Sequence, residues 1–130
     1  MSAIIVASKT DTAGSVTPTA LSTETALYTP GSQTDDALIE GYVSLQNMAS
    51  GDTVVVTEYL SVDGTNYEII NQQTYSGAQT DPTIRFVGKM IGPKTSGSGG
   101  GQLWKATVNQ TAGTLRAFPF SFVLEVLGST

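Results

Sequence analysis

This sequence has no cysteine and no histidine. Lack of cysteine excludes disulfides and thiolate chemistry. Lack of both excludes Ser-His-Asp and Cys-His catalytic arrangements, along with the usual nitrogen and sulfur ligands of zinc. Charge is scarce as well. Asp, Glu, Lys and Arg make up 13% of the 130 residues, about half the share usual in a soluble domain. Positive charge is the scarcer sign: six Lys and Arg stand singly against eleven Asp and Glu, for a net charge of −5. No basic patch is available to neutralise phosphates or anionic headgroups, so neither nucleic acid nor a membrane surface is an expected partner. No apolar run approaches the roughly 18 residues of a membrane-spanning helix. The run Ala3-Ile4-Ile5-Val6-Ala7 lacks both the basic start and the length of a secretory signal.

Helical periodicity is missing too, because capping residues are not followed by apolar residues at helical spacing. Period-two alternation is present instead, in a chain whose 39% hydrophobic content can furnish one core. The centre of the pattern is residues 51–77, where two β-rich runs flank Asp63-Gly64-Thr65-Asn66. Asp-Gly between such runs predicts a hairpin, since Gly accepts the positive φ that the turn requires. On the first strand Val54, Val56, Leu60 and Val62 share a face with Glu58; on the second, Tyr67, Ile69 and Tyr75 are expected on one face and Ile70 on the other.

Further strands follow from the same alternation. Ile39, Val43 and Leu45 share a face with Gly41 between them; Ile84, Phe86 and Met90 alternate with Arg85, Val87 and Lys89. Trp104, Ala106 and Val108 form another inward face. Phe118, Phe120, Phe122, Leu124 and Val126 give the strongest core strand, in which Pro119 must lie at a bulge or along an unpaired edge. A short strand is expected within residues 19–29. Residues 8–18 are small and polar and read as an arm or loop; residues 92–101, rich in glycine, read as a flexible connection. The expected fold is all-β: a single antiparallel β-sandwich, jelly-roll-like, of about seven to eight strands. The expected division is an N-terminal arm over residues 1–18 and a sandwich domain over 19–130.

With His and Cys absent, a carboxylate pair is the remaining catalytic option. Glu40, Glu58 and Glu68 lie on successive predicted strands, and a glycosidase would need two of them facing each other across a cleft. Glutamates on a sheet are far more often solvated, and no catalytic residue, cofactor or metal is assigned. Asp35, Asp36, Asp52, Asp63 and Asp81 fall in predicted turns, where Asp is a normal turn residue and no spacing matches a calcium loop. Tyr42, Tyr59, Tyr67, Tyr75 and Trp104 could stack on sugars if two or three shared one flat face.

Gly51-Asp52-Thr53, Val62-Asp63-Gly64-Thr65-Asn66-Tyr67, Thr107-Val108 and Gln110-Thr111-Ala112-Gly113-Thr114, with Arg116 and Phe118-Pro119-Phe120, form one pattern of turns and strands. The pattern resembles small structural proteins of tailed bacteriophages and related proviruses. The resemblance implies a virion component, a capsid decoration (cement) protein, made in the host cytoplasm and located on the virion. The absence of His and Cys, the low charge and an apolar trio set off by a polar arm lead to the expectation of a homo-oligomer, a trimer first, bound to the major capsid protein or another virion component. Ile4, Ile5 and Val6, set off by a polar segment, are with Tyr42 and Tyr59 the expected assembly residues. A carbohydrate-binding or adhesion module is the alternative, and a carboxylate enzyme a third.

Shortening the glycine-rich run at residues 97–101 by two residues should change stability little, because closure entropy depends only weakly on loop length. Thermal unfolding measures this; a large drop in the midpoint would mean that the run packs against the body.

Overall fold

The computed structural model describes residues 4–93 and 101–129. Eight strands follow in order: β1 (Ile4–Val16), β2 (Thr25–Tyr28), β3 (Ala37–Ser44), β4 (Thr53–Ser61), β5 (Glu68–Ser76), β6 (Thr83–Met90), β7 (Leu103–Ala112) and β8 (Phe118–Ser129). Among the described residues there is no helix. The strands form two four-stranded antiparallel sheets, ordered β1-β8-β3-β6 (sheet A) and β2-β7-β4-β5 (sheet B). Consecutive strands mostly sit in opposite sheets, so this is the jelly-roll-like sandwich that alternation and turn spacing anticipate.

The core lies where the alternating faces meet. Ile39 and Val43 of β3, Val54 and Val56 of β4, Trp104 and Val108 of β7, and Phe118 and Phe122 of β8 are buried. Phe122 is the centre of an aromatic layer. It stacks on Tyr28 with centroids 4.9 Å apart and lies 5.6 Å from Phe86 and 6.2 Å from Trp104. The ring can occupy this place because residue 41 has no side chain. A Cβ on Gly41 would stand 2.1 Å from Phe122 Cδ1. The break in the apolar face of β3 is therefore the seat of the Phe122 ring of β8. Phe120 is only half-buried and packs on the rim of the core. Pro119 pairs with Ser15 of β1 but lies past the end of the β3–β8 ladder, which begins at Phe120, so no β3 partner faces it.

The hairpin at the centre of the sequence joins β4 to β5, with Gly64 at φ 77°. Asp63 builds the turn. Its Oδ1 accepts hydrogen bonds from the backbone N–H groups of Thr65 and Asn66, both at 2.8 Å, and its Oδ2 accepts one from Asn66 Nδ2 at 2.9 Å. These donors, those of Asn66 foremost, hold the Asp63 carboxyl well below the usual carboxylate range.

Three expectations are corrected. Residues 8–18 do not form a loop: β1 runs through most of them and pairs with β8 from Ile4↔Ser129 to Val16↔Phe118. Its composition misleads because an edge strand with solvent on its surfaces needs a partner ladder, not apolar side chains. Ile69 and Tyr75 do not share a face. The register passes from Glu58↔Asn71 to Tyr59↔Ile69, leaving Ile70 as a bulge that reverses the parity of β5. Val62 lies beyond the end of β4 and is 66% exposed. Of the expected flexible connection over residues 92–101, residues 94–100 lie outside the described residues; beside it the Gln102 N–H donates to Ile91 O at 2.9 Å.

Gly41→Ala should destabilise by about 1–3 kcal/mol, since the clamped Phe122 ring must leave its rotamer. Gly41→Ala with Phe122→Leu should cost less than the sum of the two single changes. Urea unfolding of the four proteins measures the coupling; strict additivity would place the ring elsewhere.

Candidate assembly surface

Two features of this surface come straight from strand lengths. β3 leaves β8 at Ala37↔Val126, and the last link to that segment is Leu127 N–H donating to Asp36 O at 2.8 Å. The β1–β8 ladder continues past that point through Val6↔Leu127, Ile5↔Gly128 and Ile4↔Ser129. The result is a two-stranded ribbon projecting beyond β3. Its apolar residues are open to solvent: Ile4 is 73% exposed, Ile5 43% and Val6 49%. β1 is also an edge strand, with one row of backbone groups unpaired.

The second feature is the outer face of sheet A. Val87 of β6, Glu40 of β3, Val123 of β8 and Asp11 of β1 form one rung; Lys89, Leu38, Glu125 and Lys9 form the next. Leu38 and Val87 are exposed here, and with Val123 they floor a shallow depression of about 150 Å³. Tyr42 lies on the rung beyond, its hydroxyl donating to Glu40 Oε1 at 3.2 Å. Arg85 Nη2 donates to Glu40 Oε2 at 3.1 Å, and this guanidinium holds the Glu40 carboxyl below its ordinary value. Both ends of that ion pair are solvent-exposed, so it shapes the surface more than it stabilises the fold.

Tyr59 belongs to the opposite side of the molecule, the outer face of sheet B. Its hydroxyl donates to Glu24 Oε2 at 2.5 Å, and that bond, with the negative charge beside it, raises the Tyr59 phenol above its usual value. Thr107 Oγ1 donates to the same oxygen at 2.8 Å, while Lys105 Nζ lies 4.7 Å from the Tyr59 ring centroid and 4.4 Å from that of Tyr67. The five expected assembly residues are thus not one patch. Ile4, Ile5 and Val6 lie together on the ribbon. Tyr42 is opposite Ser121, six positions along β8 from Leu127 and roughly 20 Å away at the usual strand rise. Tyr59 is on the other sheet. The sequence reading missed Leu38, Val87 and Val123 on the outer face of sheet A. Val87 was the available signal, an apolar residue between Arg85 and Lys89 on a face otherwise read as polar.

The other candidate residues separate in the same way. Glu40 is on the outer face of sheet A, Glu58 faces into the sandwich, and Glu68 is exposed opposite Leu60. Tyr59 and Tyr67 meet edge to face at 78°, Tyr42 lies on the other sheet, and Trp104 is buried. Among the described residues no three Asp or Glu converge.

The motif residues around Asp52 and Gln110 turn out to be a buried polar clasp at one end of the sandwich. Asp52 is 1% exposed. Its Oδ2 accepts Arg116 Nε at 2.6 Å and Ala49 N–H at 2.9 Å; its Oδ1 accepts Thr114 N–H at 3.1 Å. Gln110, also buried, donates through Nε2 to Ala112 O and Thr114 O, and its Oε1 accepts Arg116 N–H at 3.0 Å. Gly113 is obligatory: its φ is 89°, and a Cβ there would stand 2.0 Å from Asp52 Oδ1.

No model of a known protein family matches this sequence, and no curated protein matches it. Among solved structures, one of Bacillus endospore appendages, described as a novel family of disulfide-linked pili, shares the fold. The TM-score is 0.52 at 10% identity, over 97% of this chain and 90% of that one. At that identity the likeness concerns fold alone.

Removing the clasp acid should be costly. Asp52→Ala strands three donors and should destabilise by about 3 kcal/mol or more. In the intact protein Arg116 foremost, with the two backbone donors, holds the Asp52 carboxyl below its usual range. A folded value below the unfolded value of about 3.9 stabilises fully above that pH, and the effect is lost as pH falls through the folded value. Acid titrations of unfolding free energy should therefore fall more steeply below about pH 4 in the wild type than in Asp52→Ala. Parallel curves would detach the clasp from acid stability.

Proposed function

We propose that this chain is a non-enzymatic structural subunit that joins copies of itself into a larger lattice. More specifically, we propose a capsid decoration (cement) protein of a tailed bacteriophage, made in the host cytoplasm and carried on the virion. The observation that carries the reading is the ribbon of Ile4, Ile5 and Val6, held by β8 beyond the end of β3 with its apolar side chains in water. Exposed apolar residues on an unpaired edge are a liability in a free monomer and a docking element in an assembly. The same edge offers backbone donors and acceptors for strand addition by a neighbour.

Three further points support this reading. The candidate glutamates lie on different surfaces and leave no carboxylate pair to catalyse with. The fold is shared with a chain from disulfide-linked pili, so this sandwich can serve as a repeating unit. With no cysteine, this chain would join its neighbours without disulfides. A trimer on the major capsid protein or another virion component is the arrangement proposed, in line with the symmetric oligomers usual for such parts. Sugar binding has weaker support, since the two tyrosines on one face stand at 78° and form no platform.

Ile4→Lys with Val6→Lys should leave the sandwich folded, because both side chains are already in water, and should abolish self-association. Light scattering of both proteins, alone and with empty capsids, is the measurement. If the wild type is monomeric and binds no particle, the assembly reading is wrong and carbohydrate binding becomes the better account.

A further inference from the structure

The gap between the sheets does not close fully where β4 and β5 face β6. There Glu58 projects inward and is 9% exposed. Trp104 Nε1 donates to Glu58 Oε2 at 2.7 Å, and among the described residues this is the one hydrogen bond the carboxylate receives. A carboxylate offers about four acceptor positions, and burying its charge against one neutral donor is costly. The unfilled side of Glu58 opens on a slot of about 30 Å³, room for one or two water-sized groups. Ile84, Phe86 and Tyr75 supply its apolar walls; Asn71 and Gln73 supply amides towards its mouth. Arg85 lies beside the slot, but its guanidinium is held by Glu40 on the outer face of sheet A, and among the described residues no cation pairs with Glu58.

We propose that this slot binds a primary alkylammonium group. The ammonium head meets the free side of Glu58, and the amide oxygens of Asn71 and Gln73 take its remaining N–H groups. The alkyl stem leaves along Ile84 and Phe86. A water would satisfy the oxygen but leave the charge uncompensated. The planar five-donor fork of a guanidinium is too wide for the space, whereas a compact ammonium fits it. The inference uses none of the ribbon residues and stands independently of the assembly reading. The same chemistry is available from a small free amine or from a lysine side chain of a second copy.

Trp104 is the only tryptophan in the chain, so its emission reports directly on the Glu58 contact. The full-length protein is titrated with n-butylammonium chloride at constant ionic strength, with sodium chloride as the control. The expected result is a saturable change in emission and a higher unfolding temperature. Glu58→Gln, which keeps an acceptor for Trp104, should weaken binding by about tenfold or more. Gln73→Phe places a ring at the exposed mouth, leaves the Glu58–Trp104 pair intact, and should weaken binding at least as much. A response that matches sodium chloride, or that keeps its wild-type midpoint in either variant, overturns the proposal. Sedimentation then separates the sources. If a lysine of a second copy occupies the slot, butylammonium dissociates the assembled protein; if a free amine does, the assembled mass is unchanged.

Discussion

The ion pair between Asp52 and Arg116 is the constraint on which one end of the sandwich depends. An acid this deeply buried is tolerable only when its oxygens are matched, and here the matching groups come from two places in the chain. Ala49 belongs to the turn before β4, and Thr114 and Arg116 to the connection between β7 and β8. Asp52 also accepts Gly77 N–H through its carbonyl, at 2.8 Å, which brings in the end of β5. Gln110 supports the same connection from inside. One carboxylate and one amide thus register β4, β7 and the entry to β8, and β8 carries the Phe122 ring that the aromatic layer surrounds. The clasp specifies the connections, and the rings fill the space between the sheets.

Surface chemistry differs between the two sheets for reasons of pairing. Sheet A presents alternating charges around Leu38, Val87 and Val123 and extends into the apolar ribbon. Sheet B presents the exposed Ile69 and Ile70 beside hydroxyls, amides and the Tyr59–Lys105–Tyr67 cluster, in which the Tyr59 hydroxyl is bonded to Glu24 and Lys105 lies over both rings. A group satisfied internally has little to gain from a neighbour. Apolar surface in water gains about 25 cal/mol for each Å² it buries. The ribbon of sheet A is the proposed docking side, and the Glu58 slot is a separate proposed site.

Much of the fold was legible because strand alternation is a local property. The inward faces of β3, β6, β7 and β8 were read correctly from residues such as Ile39, Phe86, Trp104 and Phe122. The failures have particular causes. The bulge at Ile70 changes parity in mid-strand, and no residue type announces it. β1 has the composition of a solvated segment, because a strand at a sheet edge can be polar and still be held by its neighbour. The candidate surface was legible only in part: the Ile4, Ile5, Val6 trio stood out as apolar residues in a polar context, while Tyr42 and Tyr59 could not be assigned to opposite sheets without the strand order.

By itself, then, the sequence determined an all-β chain without nucleophile–histidine or thiolate chemistry, the hairpin at Asp63 and Gly64, and which residues of most strands face inward. All of these follow from residue type and spacing over a few positions. Tertiary structure alone decided that Gly41 makes room for Phe122, that Asp52 meets Arg116 across 64 positions, and that Glu58 meets Trp104 across 46. It also decided that β1 outruns β3 to leave a ribbon in water. These are encounters between distant segments, set by which strands become neighbours, and no local pattern of residues encodes that choice.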